Sequence, residues 1–241
     1  MKFENTSVMN FKNAIRGMRN PHDSWDKSDS KEIEYDLQYN ELENDLKTTA
    51  KNGCFKDNGY IMENNRMFVL GNKDKELSIS LIKGGSEHRK FLRQIFVSVD
   101  ISAPLYWWKE FDTYKVATVS NSCSTMHTIT KYKFNTNMFE CKDLSKDGKA
   151  FLLAIIDKLN YLRKKYLETA DKNIWKEIII LLPESFIQKR TITMNYENLL
   201  GMCSKGQRRF HKLTEWSTDF INWARSLPYA QEFIFTDEIN K

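Results

Sequence analysis

Between Thr113 and His127 the chain reads "TYKVATVSNSCSTMH", a run dense in hydroxyl groups with one carboxamide and one thiol. Small polar side chains set this closely let hydroxyls and backbone N–H groups approach a phosphate or the edge of a planar base. Cys123 is the sharpest residue in the run, because a thiol with a lowered pKa is a nucleophile. A polar loop that caps a helix, and a buried inert cysteine, are the competing readings. A second group, His88, Arg89, Lys90 and Arg93, stands just before an apolar segment. On α-helical spacing Arg89 and Arg93 share a face, which suits phosphate groups; a solvated charge run is the alternative. Arg16 and Arg19 could reach the same pocket from the N-terminus. Trp107 and Trp108 point to different faces, so at most one stacks on a ligand ring and the other belongs to the core.

These residues need elements to hold them. "QIFVSVDI" alternates apolar and polar residues and is rich in β-branched side chains, so a strand is expected there. Ala103 and Pro104 then open a helix through "LYWWKEFDTYK", with proline in its first turn. "GKAFLLAIIDKLNYLRKKYLETAD" is the clearest helix, its apolar residues falling on one broad face. "IWKEIIILL" is a further helix or buried segment ending at Pro183. "NKDKELSISLIKGG" reads as a helix closed by Gly84 and Gly85. "KEIEYDLQYNELENDLKTTAKNG" is charged, with weak helical periodicity, and at least two more helices are expected after Thr193. The fold class is α/β (α+β): a helix-rich single domain, residues 1–241, with a small central, mostly antiparallel sheet.

Composition narrows the function. A hydrophobic fraction of 41% with 13% aromatic residues predicts a packed fold. The 37 basic residues exceed the 32 acidic ones by only enough to leave a net charge of +5. That excess favours anionic small molecules over a nucleic-acid partner, which is not expected. No apolar run reaches the ~20 residues of a membrane span and no signal-peptide core is seen, so the expectation is a cytoplasmic protein. The four cysteines, Cys54, Cys123, Cys141 and Cys203, are scattered, and His22 and His127 form no ligand spacing, so no metal site is read.

Three segments together resemble the flavin-dependent thymidylate synthases, over roughly residues 80 to 225. "FVSVDISAPLYWWKEF" followed by "TYKVATVSNSCST" is similar to the family's strand, helix and R-H-R-x-x-S-x-N-E-x-S-x-R motif. "EHRKFLRQIF" is similar to the segment in which the family has a His, then a Thr and a Glu near the flavin. "LLPESFIQKRTITMNYENLL" is similar to its L-P, T-x-N and leucine-bearing helix. Thr113, Tyr114 and Lys115 stand at R-H-R; Thr118, Ser120, Asn121, Cys123 and Thr125 stand at the later motif positions. Lys90 and Arg93 align with the Thr and the Glu, and Glu197 falls where the family has arginine.

The resemblance implies reductive methylation of dUMP to dTMP, with FAD as cofactor and NADPH and methylenetetrahydrofolate as co-substrates. It implies flavin contacts from His88, Lys90, Arg93, Tyr114, Lys115 and Asn195, although a helix N-cap is the alternative for Asn195. Nucleotide contacts follow for Glu110, Asn121, Cys123, Ser124 and Arg208, with Arg209 and His211 in the same final segment and Cys123 as a candidate catalytic thiol. A homotetramer is implied as well. Two competing expectations are another one-carbon modification of a pyrimidine nucleotide on this fold, and a non-catalytic nucleotide- or nucleic-acid-binding protein.

Overall fold

Side chains alternate along Phe96–Pro104, so that Val97, Val99, Ile101 and Ala103 turn to one side and are buried, which is what a period of two residues does in a core strand. The structure, a computed structural model, describes residues 1–34 and 66–239. Its strands are β1 (Lys2–Met9), β2 (Lys31–Glu34), β3 (Arg66–Val69), β4 (Phe96–Pro104), β5 (Val119–Ser122) and β6 (Ile187–Asn195). The larger sheet has the order β1-β4-β6-β5, and β2 and β3 form a separate antiparallel ribbon. Partners of β4 and β6 show their opposed directions: Ile95 meets Tyr196, Ser98 meets Thr193 and Leu105 meets Phe186. The helix-rich α/β architecture with a small antiparallel sheet is the one expected. No described helix is long and apolar enough to cross a membrane. Contacts divide the chain into two compact units.

The first unit comprises residues 1–2, 101–113 and 120–191. Its long helix, Lys146–Thr169, begins where the Ser145 hydroxyl accepts the Gly148 N–H. Leu152, Ile156, Leu159 and Leu162 recur at helical spacing and pack with Ile178 of the following helix, Lys172–Leu181, and with Phe134, Phe139 and Phe186. The helix carrying the paired tryptophans spans Leu105–Phe111, shorter than expected, and Pro104 precedes it instead of lying in its first turn. It stops because the N–H and hydroxyl of Thr113 both turn back onto the Glu110 carbonyl. Trp107 and Trp108 are both core residues, 0% and 1% exposed, so neither has a ring face for a ligand. The short helix tips both rings inward, edge to face at 5.0 Å, and the Trp108 Nε1–H donates to the Gln188 carbonyl.

The second unit comprises residues 3–100, 114–119 and 192–241. Phe11 is the hub of its core, in ring contact with Phe68, Tyr196, Tyr229 and Phe233. Lys31 to Glu34 are strand β2, not the start of a charged helix: pairing with β3 supplies ladder hydrogen bonds that outweigh weak propensity. The rest of that expected helix lies outside the described residues. The Asn72–Lys83 helix has glycine at its N-cap, and the Asp29 carboxylate accepts the N–H groups of Lys73 and Asp74 in place of a local cap. Gly71 permits this, since a Cβ there would lie 2.2 Å from Asp29 Oδ1.

Arg19 does not face a pocket. It is buried against Asp74, which also accepts the Ser28 and Ser30 hydroxyls and the Ser30 N–H. Burial pushes the Asp74 pKa up, but the hydrogen bonds from Ser28, Ser30 and Arg19 outweigh it and hold the carboxyl below its ordinary value. A folded pKa below the unfolded one, about 4, gives stability that is complete above pH ~4 and lost as pH falls through the folded value. Arg19→Met should therefore cost about 3–5 kcal/mol at neutral pH by urea denaturation, because it strands a buried carboxylate. Asp74→Asn should flatten the acid limb of the stability profile.

Candidate functional site

The Asn72–Lys83 helix ends at Gly84, and Gly85 at φ 101° turns the chain so that the N–H groups of His88 and Arg89 both reach its carbonyl. A Cβ on Gly84 would stand 3.2 Å from the His88 ring, so the bare glycine lets the imidazole lie against the helix end. A 3₁₀ helix, Lys90–Gln94, follows and is anchored by the buried Phe91 and Leu92. Beside it opens a cleft of about 640 Å³ lined by Met18, His22, His88, Lys90, Phe91 and Gln94, among others. Met18, Pro21, Leu81 and Phe91 give it an apolar lining, and His22, His88, Lys90 and the Glu87 carboxylate its titratable groups, a composition that admits a planar ring. Gly17 keeps one wall thin, since a Cβ there would come within 2.9 Å of Gln94 Oε1.

Arg89 and Arg93 do not act as a pair. The 3₁₀ helix has three residues per turn, so positions four apart no longer share a face. Arg89 is half-buried in an ion pair with Glu197, 3.0 Å from Nη2 to Oε1, and Arg93 is exposed, donating to the Ser86 carbonyl. Lys90 lies 3.7 Å from Glu87, and both are exposed, so that pair holds little energy. Arg16 is exposed.

The turn Tyr114–Thr118 is pinned from three sides. The Thr118 hydroxyl donates to the Tyr114 carbonyl, Asn198 Nδ2 donates to the Val116 carbonyl, and the Tyr114 ring stacks on Trp216 at 5.4 Å. Ala117 holds φ 58°, a left-handed conformation that an L side chain adopts only under such constraint. Lys115 and Val116 are thereby presented to solvent on a fixed turn. His211 also stacks on Trp216, ring centroids 4.8 Å apart and planes 5° from parallel. Trp216 sits in a π-helix, Glu215–Phe220, a form concentrated at functional sites.

Asn195 is the N-cap of the Tyr196–Met202 helix and is buried. Its side-chain oxygen accepts the Asn198 N–H, while Asn198 Oδ1 accepts the Asn195 N–H. Arg208 donates to the Cys203 carbonyl, Asp237 and Glu238, and its guanidinium lies over the Phe235 ring. Burial pushes the Cys203 thiol far above its ordinary pKa, so that cysteine is inert. Among the described residues no three metal-binding side chains come together.

The remaining sequence candidates lie in the first unit. The four residues of β5 are all exposed. Cys123, also exposed, is fixed through its backbone, its N–H donating to the Lys189 carbonyl and its carbonyl accepting from Gln188 Nε2. Its Sγ is 3.7 Å from the Thr128 hydroxyl. Ser124 precedes the short helix Thr125–Thr128, Asn121 is exposed, and Glu110 is half-buried. His88, Lys90, Arg93, Tyr114, Lys115, Asn195 and Arg208 therefore belong to one unit, and Glu110, Asn121, Cys123 and Ser124 to the other. Sequence reasoning missed His22, Asn198 and Trp216. The Asn-x-x-Asn spacing of the cap was a readable signal for Asn198, whereas nothing local marks Trp216 as the platform for two rings.

Asn198→Ala removes the reciprocal half of the capping box and the tether to Val116. It should lower stability by about 1–2 kcal/mol and alter the near-ultraviolet circular dichroism of Trp216. A thiol reagent analysed by mass spectrometry should modify Cys123 in the native protein and Cys203 only after unfolding.

No protein-family model and no curated protein matches the chain. Solved structures do. The flavin-dependent thymidylate synthase ThyX from Helicobacter pylori, complexed with FAD and dUMP, is 16% identical, with TM-score 0.62 over 98% of this chain and 99% of that one. A second structure of that enzyme with FAD and dUMP gives the same TM-score of 0.62 over 96% and 97%. The UMP/dUMP methylase PolB from Streptomyces cacaoi, bound with 5-Br UMP, is 12% identical, with TM-score 0.51 over 88% and 95%. At these identities the likeness establishes the fold: this chain has the fold of the flavin-dependent thymidylate synthases.

Proposed function

We propose that this protein is a flavin-dependent enzyme that methylates a pyrimidine nucleotide, converting dUMP to dTMP with methylenetetrahydrofolate as carbon donor and NADPH as reductant. The observation that carries the reading is the correspondence of nearly the whole chain, 98%, with an enzyme solved with FAD and dUMP. The cleft at His88 and Lys90 is consistent with it, offering Met18, Leu81 and Phe91 to an isoalloxazine ring and the Lys90 ammonium, shared with Glu87, to a phosphate. FAD, when bound, supplies the hydride chemistry. The chain's own part is positioning: His88, Lys90 and Arg93 would hold phosphates, and the turn bearing Tyr114 and Lys115 would meet the ring system. Asn195 would act chiefly through the helix that it caps.

Asn121, Cys123 and Ser124 would meet the nucleotide through small polar groups, and Glu110 would join them. Arg208 reaches a phosphate only by giving up Asp237 or Glu238. Catalysis by the Cys123 thiol would need a substrate carbon within reach of an exposed sulfur. A homotetramer and a cytoplasmic location go with the same reading. Phe151, Leu153 and Ile180, 70%, 50% and 69% exposed, are apolar surface that neighbouring copies would cover. A different one-carbon modification of a pyrimidine nucleotide is the second reading, favoured by Arg89 and Arg208, whose charges are already neutralised within the chain.

Titration with FAD, followed by flavin absorbance and fluorescence with and without dUMP, tests the proposal. Binding should be tighter than tens of micromolar, on the order of −6 kcal/mol; failure to bind at that level would sink it. Arg93→Ala should weaken the flavin by about 1–3 kcal/mol, the scale of a charge-assisted hydrogen bond, without loss of fold. Ser124→Leu should block the nucleotide by volume and leave flavin binding intact.

A further inference from the structure

Positive charge is not spread evenly along the chain. Residues 131–176 carry eleven lysines and arginines against six aspartates and glutamates, an excess as large as the +5 of the entire protein. Within that stretch the loop Thr130–Phe134 is fastened along one side of the Lys146–Thr169 helix. Arg163 donates to the carbonyls of Thr130 and Lys131, and the Asn160 amide both accepts the Phe134 N–H and donates to its carbonyl. The fastening sets two tyrosines on the surface, Tyr132 at 62% and Tyr161 at 52% exposure.

Both rings are surrounded by ammonium groups. Lys131 lies over Tyr132 at 5.6 Å, and Lys158 and Lys165 lie over Tyr161 at 5.6 and 4.8 Å. Lys133 and Lys164 are exposed beside them, Lys164 on the helix between the direction of Asn160 and that of Tyr161. Glu177 pairs with Lys158, and Asp157 is the exposed acid on the neighbouring helix face. Glu168, exposed two turns beyond Tyr161 on the same face, also acts on Lys165, so Glu177, Asp157 and Glu168 are set against Lys131, Lys133, Lys158, Arg163, Lys164 and Lys165, and cations outnumber acids two to one.

We infer that this surface of the first unit binds single-stranded nucleic acid: the lysines run along the phosphates, and Tyr132 and Tyr161 offer faces on which unpaired bases stack. Every base has a π-face, so such a surface is tolerant of sequence. A duplex keeps its bases stacked internally and can use only the lysines. An anionic membrane would likewise engage the charges without needing flat rings. Loop fastening matters because it holds the two rings in place before a ligand arrives, which lowers the ordering cost of binding. The assignment does not depend on the flavin reading, since none of these residues belongs to that site.

Fluorescence anisotropy with a labelled oligothymidylate of about twenty nucleotides, enough to span one such site, tests the inference on the full-length protein. Binding should weaken steadily with salt and exceed that of a duplex of equal length by at least about tenfold. The Tyr132→Ala/Tyr161→Ala double variant should lose about tenfold or more, and Tyr132→Phe/Tyr161→Phe should retain the affinity, because the ring and not the hydroxyl does the stacking. Lys164→Glu/Lys165→Glu should also weaken binding and reduce its salt dependence. Circular dichroism of each variant checks the fold, which surface substitutions leave in place. Equal affinity for duplex and single strand, binding unchanged by removal of both rings, or capture only by vesicles containing phosphatidylserine would each overturn it.

Discussion

The candidate site in the second unit hangs on the first turn of the Tyr196–Met202 helix. Asn195 and Asn198 close a reciprocal cap, and Asn198 Nδ2 donates one hydrogen bond to the Val116 carbonyl. Glu197, between them, takes Arg89. Three side chains within four residues of one helix end thus join the 88–94 segment, the 114–118 turn and the end of β6. The site needs such a hub because its polar backbone groups are drawn from segments far apart in sequence. A buried or half-buried N–H or carbonyl left without a partner costs more than the bond itself is worth. Asn suits the role: it caps the helix with its oxygen and still has donors for a neighbouring loop.

The cations in this chain divide by what surrounds them. Arg19, Arg89, Arg190 and Arg208 are partly or fully buried and each is matched by a carboxylate within salt-bridge distance, while the half-buried Arg163 donates to two backbone carbonyls. Burial makes a partner obligatory, since an isolated charge out of water costs several kcal/mol. Lys90, Arg93 and Lys115 stay at the surface, where solvent pays their solvation and they remain able to meet an anion. A basic residue's value to a ligand is therefore decided by its burial, not by its presence. Arginine's planar fork suits these positions: it meets carboxylates and carbonyls together, as Arg208 does with Cys203 and Asp237.

In the first unit, the long helix changes character along its length. Phe151 and Ile155 near its start join Leu181 around an apolar groove, while Tyr161 and the lysines near its end form a basic aromatic surface. One face of this helix is committed throughout to the core of Leu152, Ile156, Leu159 and Leu162. The outward faces are free to differ, because packing constrains only the inward stripe.

Local pattern was sufficient for the elements whose periodicity is strong and whose ends carry chemical signals. β4 with its alternating valines, the long helix with its broad apolar face, and the glycine stop at Gly84 and Gly85 are all legible in the residues alone, whereas the Ser145 cap ahead of the expected helix is not. The small-residue tract was legible as unusual, and its placement as an exposed edge strand was not, because pairing partners come from distant chain. What tertiary structure alone decided are the long-range choices: that Arg19 turns inward to Asp74, that both tryptophans are core, that Arg89 answers Glu197, and that Trp216 receives two rings. Spacing along the chain fixes which side chains share a face of one element. Which face is then buried, and against whose charge, is set by packing between segments tens of residues apart, and no local pattern encodes that.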